Sequence, residues 1–193
     1  MFEEYIHKKF SALGNTIGQS EVAIEKATYG FLALIYTLIN IIAVITVSYV
    51  LGVLYPALIS LIAFALLRHY SGGIHSSHPL GCILISALAF PLLGKLSYFI
   101  NSTFNGLNNS ILILIFIISL LVISKKAPID TPQKPIKSLD HKKRLKNSSI
   151  LIVCLLFIFS LIIQNHSQIT LISIQLGVIF QILMLPPINI RKQ

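Results

Sequence analysis

The chain has 193 residues, 55% of them hydrophobic and only 11% charged, where a water-soluble domain of this size carries about 25% charge. Most of its surface therefore faces something other than water, and a single polytopic membrane domain follows. The formal net charge of +9 does not point to nucleic acid. Eight of the fifteen basic residues lie between Lys125 and Lys146 with no aromatic platform among them, a pattern that reads as a topology signal and a contact to anionic lipid.

Residues 1–29 are amphipathic. Phe2, Ile6, Phe10, Leu13 and Ile17 recur at spacings of four and three and so share one helical face, as expected of a segment lying along the membrane interface. No cleavable signal peptide is expected, because the first apolar run begins only near Gly30, behind a mixed-charge leader.

From Phe31 to Leu67 the chain is almost continuously apolar. As one helix it would reach roughly 55 Å, far beyond a hydrocarbon core of about 30 Å. It must fold back, and Gly52 and Pro56 mark the break. Spans are expected at 31–54, 56–70, 80–100, 108–124, 149–164 and 168–187, with a basic loop at 125–147. The fold class is all-α, about six transmembrane helices behind an N-terminal amphipathic helix. The linkers 101–109 and 164–168 carry no Lys, Arg, Asp or Glu, whereas 125–147 and the tail are basic. The positive-inside rule then puts both termini, the 68–79 stretch and the basic loop in the cytoplasm. Pro91 is expected to bend the third span, and Lys95, the one charge well inside a span, to snorkel outward.

Between the second and third spans lies "RHYSGGIHSSHPLGC", Arg68 to Cys82. Pro79 fits a first helical turn and disfavours helix just before it, so a loop over about 71–78 and a new helix from Pro79 are expected. Cys82 then sits near a helix N-terminus, where unpaired amides and the dipole favour a thiolate. Gly72 and Gly73 permit a sharp turn that brings His75 back as a base. Other readings compete. Cysteine is a common small buried residue, and His69 and His78 read as amphipathic tips at the interface. His69, His75, His78 and Cys82 could also ligate a metal, although their spacing matches no common zinc pattern and no carboxylate lies nearby. Cys154, inside a long apolar run, reads as structural, and the two cysteines suggest no disulfide scaffold.

Arg68-x-x-Ser-Gly-Gly-x-His75, then six residues to Cys82 and three more to Ser86, closely resembles the accessory gene regulator B family. The later "KKAPIDTPQKPI", 125–136, is similar to that family's Ala-Pro-x-Asp loop followed by Lys-Pro. The resemblance implies a membrane-embedded cysteine endopeptidase of a Gram-positive bacterium. It would cleave the C-terminal part of a quorum-sensing propeptide and promote cyclisation to a thiolactone or lactone. It implies Cys82 as nucleophile and His75 as general base. Arg68, Gly72, Gly73 and Ser86 are supporting residues matched by the same motif. Lys125, Lys126, Lys134 and Lys137 are candidates for attracting an acidic substrate tail, and Asp130 for orienting His75. A short amphipathic propeptide, the bilayer and a second copy of the chain are the expected partners, with no cofactor and no metal. A small transporter or export component is the alternative, but every Asp and Glu lies outside the expected spans.

Overall fold

A computed structural model describes residues 2–73, 79–104, 106–129 and 138–185. The described residues form seven helices: α1 Phe2–Thr16, α2 Glu21–Val50, α3 Leu54–Ser71, α4 Pro79–Phe104, α5 Asn109–Lys126, α6 Leu139–Ile163 and α7 Gln168–Leu183. Five of them, α2 to α6, are long and apolar enough to cross a bilayer, while α7 is a shorter apolar helix. This is the all-α polytopic architecture read from the sequence.

Local chemistry sets the helix boundaries. The break after α2 falls at Leu51–Val53, with Gly52 at φ +68°, and α4 begins at Pro79. Two helices start well before their apolar runs. Ser20 caps α2, its side chain accepting from Ala23 N at 3.4 Å, and Glu21 occupies the first turn, where a carboxylate favours the positive end of the dipole. Residues 21–29 are thus the first turns of α2. α1 folds back along them. Tyr36 Oη donates to Glu3 Oε1 at 2.7 Å, the Phe10 and Phe31 rings lie 5.3 Å apart, and Gly14 abuts Ile24. Likewise α6 begins at Leu139, so the second part of the basic stretch 125–147 is helix rather than loop.

The bundle is organised around its shorter apolar helix, α7. Nine of the sixteen residues of α7 are buried, and its most extensive neighbour is α3. The two approach closely at Gly177, where any Cβ would collide with Ser60 O. Helix association within lipid draws on close packing and interhelical hydrogen bonds rather than a hydrophobic driving force, and α7 supplies both. Thr170 Oγ1 pairs with Tyr55 Oη at 2.7 Å. Ser60 Oγ donates to Ser173 O at 2.9 Å, and Ser173 Oγ to Ser97 Oγ at 3.0 Å. Gln175 Nε2 donates to Ser160 Oγ at 2.8 Å. One core cluster, Leu67, Ile123, Ala127, Val153, Val178 and Leu185, joins α3, α5, α6 and α7 at the end of the bundle that carries the Ser-Gly-Gly turn.

Candidate active site

At that end three chain segments meet. α3 ends at Ser71, and Gly72 turns the chain with φ +70°. The segment following α5 docks on it, Ile129 N donating to Ser71 O at 3.0 Å. Gly72 is packed so tightly there that a Cβ would stand 2.9 Å from Ile129 O. Both the conformation and the close approach therefore exclude a side chain. The two motifs singled out in the sequence, the Ser-Gly-Gly turn and the Ala-Pro-Ile stretch, are thus in direct backbone contact across more than fifty residues of chain.

The third segment is the end of α7. Gln181, fully buried, donates from Nε2 to Ser71 Oγ at 2.9 Å and to Gly72 O at 2.7 Å. Ser71 Oγ passes its own proton to Leu67 O at 2.8 Å. Gln181 Oε1 is buried with no hydrogen-bond partner among the described residues, a condition that costs about 1–3 kcal/mol for such a group.

Arg68, partly buried in the last turn of α3, is held against the Ser-Gly-Gly turn. Its guanidinium lies 5.4 Å from the Phe64 ring centroid, and a Cβ on Gly73 would stand 2.6 Å from Arg68 Nη1 and 3.3 Å from Met184 O. The absent side chain at Gly73 is what leaves room for the guanidinium. Arg68 is also within electrostatic reach of Cys82. Cys82, partly buried, is the fourth residue of α4, and Ser86, one turn further on, is buried. The start of α4 thus carries a thiol and the end of α3 a positive charge.

His75, His78, Asp130, Lys134 and Lys137 lie outside the described residues. His69 is exposed, its ring edge-on to Tyr70 at 4.9 Å. Cys154 is partly buried in the apolar run of α6. Pro91 lies buried inside α4 and Lys95 is exposed on it.

A basic cavity of about 450 Å³ lies between the end of α5 and the start of α6, where Lys125, Lys142, Lys143 and Lys146 surround Pro128 and Asp140. Of the two described lysines picked for a substrate tail, Lys125 and Lys126, Lys125 lines it. The other three lining lysines belong to the basic stretch but not to the four singled out in it. In α6, positions 142, 143 and 146 recur at helical spacing and share a face. Gln181 was missed as well. Its signal was a polar amide inside an apolar run, a place where polar residues face the bundle interior.

A family model described as "Accessory gene regulator B" matches residues 4–185. The chain is 38% identical over 163 residues to a protein named "Putative AgrB-like protein 2" from Clostridium perfringens strain 13, covering 81% of this chain and 76% of that one. It is 31% identical over 155 residues to the "Accessory gene regulator protein B" of Staphylococcus aureus strain MW2, covering 80% and 78%. No solved structure matches.

Proposed function

Because the chain belongs to the accessory gene regulator B family, its role lies in accessory gene regulator signalling, and we propose that it is the cysteine endopeptidase that matures the signalling propeptide. The observation that carries this reading is the meeting of the Ser-Gly-Gly turn, the Ala-Pro-Ile stretch and Arg68 at the end of the bundle where α4 presents Cys82.

In this scheme His75 takes the proton from Cys82 Sγ, and the sulfur attacks the carbonyl carbon of the scissile peptide bond. Arg68 stabilises the negative charge that develops. The C–N bond breaks, the imidazolium returns its proton to the leaving amine, and the acyl group rests on Cys82 as a thioester. A cysteine or serine side chain of the same peptide attacks that thioester, closing a thiolactone or lactone, and Cys82 leaves and is reprotonated. Exchange between two thioesters is nearly balanced in energy, so excluding water from the acyl-enzyme favours ring closure over hydrolysis. A site at the end of a bundle of apolar helices suits that requirement. The step needs no cofactor.

The protein sits in the cell membrane with both termini and the Ser-Gly-Gly turn in the cytoplasm, because Lys125 and Lys126 close α5 and Lys142, Lys143, Arg144 and Lys146 open α6. There the lysine cavity attracts an acidic tail of the propeptide. The working unit is a homodimer.

Co-expression with the propeptide, with products read by mass spectrometry, tests the reading. Cys82→Ala and His75→Ala, inserted at the wild-type level, should leave the propeptide uncut, a loss of at least about 10³-fold, while Cys154→Ala should cut normally. Wild-type cleavage by Cys82→Ala or by His75→Ala removes the proposal.

A further inference from the structure

The scheme above uses the lysine cavity only for its field, yet its depth and its wall narrow what fills it. The apolar run of α6 starts at Ile150, and Lys146 precedes it by four residues, about 6 Å along a helix. Lys125 follows directly on the apolar run of α5. A bilayer with a hydrocarbon core of about 30 Å has headgroup layers of roughly 5–8 Å on either side. Lys125 and Lys146 therefore stand at the depth of the lipid phosphates. Lys142 and Lys143, about one turn further out on α6, reach back toward that depth on long aliphatic stems.

The cavity has about 450 Å³, and four ammonium groups line it against the single carboxylate of Asp140. Its volume falls within the roughly 300–1,000 Å³ of small-ligand sites, and its charge selects an anion. An acidic peptide tail arrives only with the substrate. Phosphate is a permanent, concentrated component of the surface into which these lysines project, and basic recesses between spans on the cytoplasmic side are a recurrent form of headgroup site.

The cavity also adjoins the turn. Pro128, buried, forms part of its wall. The next residue, Ile129, donates its N–H to Ser71 O at 3.0 Å and bounds the space beside Gly72. An anion drawing Lys125 of α5 toward Lys142, Lys143 and Lys146 of α6 closes two helices around the base of the segment that holds the Ser-Gly-Gly turn.

We propose that the cavity is a binding site for the phosphate headgroup of an anionic membrane lipid, and that its occupancy braces the Ala127–Ile129 segment against the Ser71–Gly72 turn. The site does not depend on the peptidase reading. A propeptide tail drawn by the same lysines competes with the headgroup.

The test contains no propeptide. The full chain is placed in nanodiscs of phosphatidylcholine, alone or mixed with phosphatidylglycerol. Native mass spectrometry reads the phosphatidylglycerol retained, and hydrogen exchange reads the Ile129 amide. The parent should retain this lipid and, in its presence, exchange Ile129 about fivefold more slowly. In Lys142→Gln/Lys143→Gln/Lys146→Gln, retention should fall at least about tenfold, and the lipid should no longer slow Ile129. Lys8→Gln/Lys9→Gln/Lys26→Gln removes the same charge from α1 and α2 and should behave as the parent. Should the loss of three charges disturb insertion, Lys125→Gln is the substitute, with about a threefold fall in retention. Equal retention in the cavity and control variants, or Ile129 exchange that phosphatidylglycerol leaves unchanged, overturns the proposal. Equal slowing by millimolar inorganic phosphate in phosphatidylcholine alone would assign the site to soluble phosphate and overturn it as well. None of these outcomes bears on Cys82, whose role is tested by Cys82→Ala.

Discussion

Cys82 and Cys154 are the two cysteines of the chain, each partly buried in an apolar helix, and their surroundings have almost nothing else in common. Cys154 lies in the second half of α6, in a run from Ile150 to Ile163 without a single charge. Cys82 lies in the opening turns of α4, within electrostatic reach of Arg68, whose neighbouring turn is held by α7 and the segment after α5. A thiol becomes a nucleophile through the charges and donors around it rather than through burial. The proposed peptidase reading gives the same residue type two different roles within one helical bundle.

The contrast can be attacked from the Cys82 side. The largest effect is expected from Arg68→Met, which makes the surroundings of Cys82 resemble those of Cys154. Removing a preorganised charge of this kind should lower kcat for propeptide cleavage by roughly 10²-fold. The protein should insert normally, since a partly buried charge is removed from a membrane helix. Rapid-quench cleavage assays check this, and an unchanged kcat would mean that the guanidinium only anchors the end of α3. A smaller effect is expected from Gly72→Ala. It places a Cβ at φ +70° and 2.9 Å from Ile129 O, so the turn must shift or the contact to Ile129 must open. The local strain is about 1–3 kcal/mol, and cleavage should fall about tenfold with most of the thermal stability retained. An equivalent change near Cys154 should do neither.

Much of this arrangement was legible in the sequence. Pro79 marked the start of α4 and Gly52 the reversal between α2 and α3. Helix ends were harder to read, because hydropathy reports where lipid is and not where hydrogen bonding stops. Glu21, Glu25 and Lys26 continue α2, and Lys142, Lys143 and Arg144 continue α6, since long charged side chains are good helix formers in water. What the sequence could not supply was contact over long separations. Ser71 and Gln181 are 110 residues apart, and no local periodicity pairs them. Nor could it show that Gly73 leaves room for Arg68, because the reason for that glycine is a neighbour and not its own conformation.

The acyl-enzyme itself is the most direct test. Full-length protein mixed with propeptide, quenched in acid within the first turnover and mapped by mass spectrometry, should carry a hydroxylamine-labile peptide adduct on Cys82 and none on Cys154. An adduct on Cys154, or cleaved propeptide with no thioester on Cys82 at any time, would contradict the account.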